Sequence, residues 1–242
     1  MKSYMKSIST LIIVLFAIIQ GSNAMWPCEK GSGTTIKEER NVEYFNKIRL
    51  LGTGKVYIKQ SDRQSIYIET DDNLMKYIKT YVSDEVLTIK PEELICPRVM
   101  NIFISVKDLQ GLKIKGTADV FAETPIKTQT LSLIIEGTGD IRFDEVYTEG
   151  LKAEISGSGN IRFKAGKADR LYLNISGSGD IDAREIEANQ CNIEIYGSGD
   201  CKVFAKNELY VKIYGSGDVV YYGDPQKFEK SIFGLGKVKK KK

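Results

Sequence analysis

From Leu131 to Tyr221 apolar side chains recur at every second position on both sides of a short glycine phrase. The phrase returns five times, as Gly137-Thr-Gly-Asp140, Gly157-Ser-Gly-Asn160, Gly177-Ser-Gly-Asp180, Gly197-Ser-Gly-Asp200 and Gly215-Ser-Gly-Asp218, with steps of 20, 20, 20 and 18 residues. Six, four and two places before each first glycine stand Leu131, Leu133, Ile135; Leu151, Ala153, Ile155; Leu171, Leu173, Ile175; Cys191, Ile193, Ile195; and Leu209, Val211, Ile213. Four and six places after it stand Ile141, Phe143; Ile161, Phe163; Ile181, Ala183; Cys201, Val203; and Val219, Tyr221. Strict alternation of this kind is a strand with one buried face. Each unit therefore reads as strand, glycine corner, strand and polar return. No unit can bury its apolar face alone, but stacking like on like does so, and a period near 20 is the mark of a solenoid. The predicted fold is all-β: a parallel β-helix with coils of about 20 residues and strands roughly 4.8 Å apart.

At the corners, glycine is expected for its freedom to take positive φ. The Asp or Asn that closes each phrase is expected to accept backbone N–H bonds, as turn carboxylates and amides do. Stacked corners would line up Asp140, Asp180, Asp200 and Asp218, with Asn160 interrupting the run. That edge is either structural or a track for cations, and sequence leaves the two open.

Outside the regular block the signal weakens. Leu51-Gly-Thr-Gly-Lys-Val-Tyr-Ile58 and Gly116-Thr-Ala-Asp-Val120 are degenerate corner copies, and Phe233-Gly-Leu-Gly-Lys-Val238 is a last one. Lys55 and Lys237 replace Asp in the outermost copies, as atypical capping repeats would. Strands are also expected at 65–69, 85–90, 100–106 and 112–115. The stretch 73–82 is compatible with a short helix, but its β-branched and aromatic content favours a strand over 77–82. Pro91, Pro97, Pro125 and Pro225 fall in connections. Residues 25–41 read as an irregular lead-in, 42–238 as one β-helical domain, and 239–242 as a polybasic tail.

Lys2 and Lys6, the apolar run 11–19 and Ser22-Asn23-Ala24 have the form of a secretory signal peptide over residues 1–24. Lipidation at Cys28 is the alternative, but Met25-Trp26-Pro27 precedes that residue where small side chains are needed. The apolar run is short for a membrane span, and no other stretch is long enough, so no transmembrane segment is expected after cleavage. Without residues 1–24 the chain carries 33 basic and 32 acidic side chains, so bulk charge names no partner. The lysines at 237 and 239–242 are a local exception. Export argues against nucleic acid as their partner, leaving an anionic surface or a solvated tail that blunts an open strand edge.

Disulfides can form in an exporting compartment. Cys28 and Cys96 can tie the lead-in to the first half. Cys191 and Cys201 take inward slots of one unit, either as a cross-core pair or as buried thiols. The chain has no histidine, which excludes His-dependent triads and ordinary His-containing zinc sites. There is no Walker loop or dinucleotide fingerprint in strand-then-helix context. Calcium-binding arrays repeat every nine residues, not every 20. Carboxylate pairs such as Asp180 with Asp182, or Asp144 with Glu145, are expected on solvated surface. No catalytic, cofactor-binding or metal residues are assigned. Tyr172, Tyr196, Tyr210 and Tyr214 fall on outward positions of neighbouring units, where aromatics either pack across strands or bind a sugar or protein.

The repeated Ile-x-Gly-Ser-Gly-Asp-Ile pattern, with Glu85-Val-Leu-Thr-Ile-Lys90 before it and a leader before that, resembles the autotransporter adhesin head GIN domain family of exported Bacteroidetes-type proteins. The resemblance spans roughly residues 42–238. It implies a right-handed parallel β-helix at the cell surface or in the periplasm, and it supplies no catalytic residues. The chain ends in lysines, not in alternating strands that would form a membrane barrel. The expected function is an exported, non-catalytic binding or structural module, acting in adhesion or envelope interaction on a surface glycan or protein, with oligomeric state open. The alternative is a carbohydrate-binding or polysaccharide-cleaving β-helix, which would gather carboxylates with Arg or Lys in one groove.

Overall fold

A computed structural model describes residues 28–241. The leader expected over 1–24 lies outside the described residues. The first part of the chain forms β1 (Glu29–Lys30), β2 (Thr35–Glu39), β3 (Lys47–Gly52), β4 (Lys55–Gln60), β5 (Ser65–Asp71), β6 (Ile78–Ser83), β7 (Val86–Pro91), β8 (Ile95–Cys96) and β9 (Met100–Val106). The second part forms β10 (Gly111–Gly116), β11 (Asp119–Ala122), β12 (Ile126–Ile135), β13 (Ile141–Ile155), β14 (Ile161–Ile175), β15 (Ile181–Ile195), β16 (Cys201–Ile213), β17 (Val219–Tyr222), β18 (Lys227–Ile232) and β19 (Val238–Lys240). Both readings of 73–82 hold in part: a short 3-10 turn, Met75–Tyr77, leads into β6.

The strands build a β-solenoid. Strands β12 to β16 pair in parallel and in register, so that Leu131, Leu151, Leu171, Cys191 and Leu209 form one interior column. Ile141, Ile161, Ile181, Cys201 and Val219 form another. All ten residues are at most 2% exposed. The inward slots expected from period-two alternation are therefore the core.

Two expectations change. The segment after each second strand is not a polar return: β13, β14 and β15 run unbroken through it, and Val146, Ala168, Ile186 and Ala188 are buried there. Each coil thus has a third buried side. In β15 the interior residues are Ala183, Ile186, Ala188 and Cys191, so the interval lengthens to three at two further bends. The 18-residue step is absorbed on this third side, where Phe204 and Ala205 stand opposite Glu187 and Ala188 with register shifts on either side.

The windings also do not stack in chain order throughout. The coil made by β3 and β4 lies between the β7–β9 winding, which follows it in sequence, and the β10–β11 winding. Strands β2, β5 and β6 close this end with antiparallel pairings to β5, β9 and β7. The lead-in expected to be irregular carries β2 in that closure. At the other end β18 and β19 pair only with β16 and β17 among the described residues, and β19 takes in Lys239 and Lys240 of the stretch read as a tail.

Candidate functional site

The glycine corners stack into one column, but for a different reason from the one expected. The corner glycines from Gly137 onward are not in the positive-φ region; only the degenerate first copy is, at Gly52 (φ 105°) and Gly54 (φ 130°). What excludes a side chain is the next coil. A Cβ on Gly157, Gly177 or Gly197 would overlap the carbonyl oxygen of the corner glycine one coil earlier. That oxygen accepts a hydrogen bond from the backbone N–H of Ser158, Ser178 or Ser198, at 3.0 Å in each case.

The acidic edge is built into the same column. The backbone N–H of Asn160 donates to Asp140 Oδ1 (2.9 Å), that of Asp180 to Asn160 Oδ1 (2.9 Å), that of Asp200 to Asp180 Oδ1 (2.7 Å) and that of Asp218 to Asp200 Oδ1 (2.7 Å). Lys237 closes the ladder by donating its N–H to Asp218 Oδ1 at 2.8 Å. Asn160 does not interrupt the run: an amide oxygen accepts as a carboxylate does, and its Nδ2 donates back to Asp140 Oδ1. One oxygen of each side chain therefore serves the backbone.

Aromatic residues gather in two ladders. Toward the closed end, Phe103, Tyr57 and Phe121 stack with centroids 5.3 and 5.6 Å apart. Lys37 Nζ sits 4.1 Å over Phe103, and the Arg142 guanidinium 5.6 Å from the Phe121 centroid. The sequence is cation, ring, ring, ring, cation. The two outer faces of this three-ring stack each carry a cation, and the adjoining groove of about 540 Å³ is lined by these rings together with Tyr67, Lys37, Lys59 and Glu123. A sugar stacks on a ring face, and the end faces of this stack are already taken.

At the other end Tyr196 and Tyr214 stack at 4.8 Å and 3°, and Phe233 stacks on Tyr214 at 5.1 Å and 11°. These rings occupy the slot before the corner glycine, where the preceding coils have Ser156 and Ser176. Tyr196 and Tyr214 are 50% and 43% exposed, and Phe233, the last ring, is 71% exposed with no ring beyond it among the described residues. In the neighbouring slot, after Ser178, Ser198 and Ser216, comes Leu235 at 86%.

Of the four tyrosines singled out from sequence, Tyr196 and Tyr214 belong to this corner. Tyr172 and Tyr210 belong to a different column, with Asn192 between them in register. The Tyr210 hydroxyl donates to Glu208 at 2.7 Å, and the Tyr172 hydroxyl lies 3.4 Å from Glu194. Phe233 and Leu235 were visible only as part of a weak corner copy. Aligning that copy slot by slot places an aromatic after Tyr196 and Tyr214.

Cys28 and Cys96 form a disulfide that ties the lead-in to β8. Cys191 and Cys201 are buried free thiols. Burial pushes the Cys191 thiol up to about 12 and that of Cys201 well above its usual range, so neither is an available nucleophile. Several carboxylates are held in ion pairs: Asp140 by Arg142 (2.8 Å), Asp144 by Lys164 (2.7 Å) and Asp182 by Arg184 (2.6 Å). Of the carboxylate pairs weighed from sequence, Asp144 and Asp182 are thus each engaged by a cation.

The architecture defines a class: a β-solenoid with coils of about 20 residues, glycine corners and no α-helix among the described residues. Residues 44–225 match the family described as "Putative auto-transporter adhesin, head GIN domain", and the chain belongs to that family. Its structure is similar to that of a putative adhesin from Bacteroides fragilis, 27% identical, with a TM-score of 0.84 over 88% of this chain and 99% of that one. A putative lipid binding protein from Parabacteroides distasonis (24% identical, TM-score 0.71, 89% and 100% covered) shares the fold. So does a putative adhesin from Parabacteroides merdae (24%, 0.72, 88% and 98%). No curated protein matches the chain significantly. Membership supports an adhesin-like binding role.

Proposed function

We propose that the protein is an exported, non-catalytic binding module of the cell envelope, and that it engages its surface ligand with the open end of the solenoid. One observation carries the site: two corner columns that hold serines in earlier coils finish in Phe233 and Leu235, 71% and 86% exposed. Isolated exposed apolar residues need no explanation, but a run of them replacing serines at one corner does. Export is supported by the form of residues 1–24 and by the family's adhesin description.

The carbohydrate-cleaving alternative has one observation in its favour. Arg142, Arg162 and Lys164 gather with Asp140 and Asn160 around a depression of about 340 Å³. Asp140 there is held by Arg142, and Asp144 beside it by Lys164, so neither is a free general acid or base.

The test is retention of labelled protein on isolated envelopes, for the natural chain and a Phe233→Ser/Leu235→Ser double variant, with a glycan array and a polysaccharide-cleavage assay alongside. Retention that drops at least about tenfold in the variant supports the reading, since two exposed anchors are removed. Unchanged retention overturns the site, and product release overturns the non-catalytic assignment.

A further inference from the structure

The open end carries a second feature besides its apolar corner. Residues 219–242 contain Lys227, Lys230, Lys237 and Lys239 to Lys242 against only Asp224 and Glu229, a net charge of +5 where the whole chain has +3. Lys239 pairs with Asp218 (3.0 Å), Lys240 with Asp224 (2.8 Å) and Lys227 with Glu229 (3.3 Å). Lys230, Lys237 and Lys241 are exposed and form no ion pair among the described residues. Phe228 and Ile232, in register with interior Leu209 and Ile213, are 38% exposed because nothing described lies over them. Lys230 stands opposite interior Val211 in the same way.

From this arrangement we infer that the open end docks on an anionic lipid surface, with Phe233 and Leu235 as interfacial anchors and the lysines against the headgroups. The inference rests on the reading that this end is the binding end, and it names the partner. Three occupants fit an uncovered solenoid end, and the residues separate them. A second copy stacked end to end would have to take into the seam Lys230, opposite interior Val211, and Lys240, opposite half-buried Tyr221. Inward-pointing lysines at an edge are the device that prevents such pairing. A soluble polyanion explains the lysines but gives no role to two apolar side chains standing in water beside them. A bilayer interface uses both: basic side chains gain from the anionic surface, and aromatic and aliphatic tips enter the boundary below the headgroups. The geometry also limits the depth. Among the described residues the outer edges of β18 and β19 have backbone groups without strand partners, so the edge stays in the hydrated headgroup layer and only side-chain tips go further.

The experiment is co-sedimentation of the purified chain with phosphatidylcholine vesicles, with and without a quarter of phosphatidylglycerol. Its variants are Phe233→Ser/Leu235→Ser and Lys237→Glu/Lys241→Glu. Binding is scored as the difference between natural chain and variant, so any contribution from the apolar run near the N-terminus cancels. Circular dichroism of each variant checks that the solenoid is intact, which is expected because all four side chains are exposed.

The expected result is partition onto the anionic vesicles that weakens with salt, with a loss of about tenfold or more in each variant. Three results overturn the inference. One is no binding to anionic vesicles while envelope retention persists, which keeps the binding end and moves its partner to a protein or glycan. Another is equal binding of dextran sulfate with no dependence on Phe233 and Leu235, which assigns the lysines to polyanions. The last is concentration-dependent dimerisation abolished by the apolar variant without vesicle binding, which assigns the end to a second copy. Absence of both vesicle binding and envelope retention overturns the proposed function as well.

Discussion

The two ends of this solenoid solve the same problem in opposite ways. At the end near the N-terminus, antiparallel strands β2, β5 and β6 cover the first windings, and the Cys28–Cys96 disulfide fastens the lead-in. The ring stack there finishes in a cation on either side. At the far end β18 is exposed along its whole length, and the second ring stack finishes in the uncovered face of Phe233. An aromatic ladder is thus structural or available for binding according to how it terminates. Its length decides little. The contrast also separates stability from interaction: substitutions at the closed end should unfold the protein, and those at the open end should leave it folded.

The largest effect is expected from the disulfide. It closes a separation of 68 residues, for which the loop-entropy estimate is about 4 kcal/mol. A Cys28→Ser/Cys96→Ser variant, or reduction of the natural protein, should lower the denaturant midpoint accordingly. An unchanged midpoint would mean that the antiparallel strands alone close this end.

Next comes the column that joins the two ends. Gly177→Ala drives a methyl group into the carbonyl oxygen of Gly157 and should cost about 3 kcal/mol. Gly150→Ala is the control, because its new methyl would meet only Thr130 Cγ2 at 3.7 Å, and it should change stability by no more than about 0.5 kcal/mol. Equal effects in urea melts would break the argument that stacking, and not conformational freedom, selects glycine at the corners.

These glycines also mark how far the amino-acid pattern could be read. They gave the coil length, the corner column and two of the three interior sides, because alternation on either side of a glycine corner is unbroken. The third side was hidden. Its two bends carry no glycine signature and shift the alternation by one residue, so the stretch that buries Val146, Ala168 and Ile186 reads as a polar return. Winding order was hidden too, since a copy of a motif does not say which neighbour it rests on. The β7–β9 winding, later in sequence than β3 and β4, lies on the far side of them from the β10–β11 winding. At the open end the tyrosines were recognised by residue type, which grouped Tyr172 and Tyr210 with Tyr196 and Tyr214 and overlooked Phe233. Only position within the repeat separates them.

Asp71 makes the closed end sensitive to acid. Burial of this carboxylate favours its neutral form, but N–H bonds from Gly33 and Arg98 (both 2.8 Å), with others from Val99 and its own backbone, outweigh that and hold its pKa below the ordinary value. A depressed folded-state pKa means stability that is complete above the unfolded pKa, near 4, and is lost as pH falls through the folded one. Hydrogen exchange should therefore show β2 and β5 losing protection as pH falls. An Asp71→Asn variant should be less stable at neutral pH and flatter in its acid response. If β2 and β5 lose protection equally in both proteins on acidification, Asp71 is not what secures the closed end.

The smallest expected change in stability is the most informative. Phe233→Ser and Leu235→Ser install the residue that the same slots carry in earlier coils, at Ser156, Ser176, Ser198 and Ser216. Both side chains are mostly in water already, so truncating them removes little buried area and leaves no cavity. The stack on Tyr214 is lost, and an aromatic pair contributes about 1 kcal/mol beyond its buried area in a well-packed setting and less where one ring is mostly exposed. The melting temperature of the double variant should therefore stay close to that of the natural chain. A clear drop would show that Phe233 and Leu235 act as a cap for the last coil, and the open end would then be a second closed one.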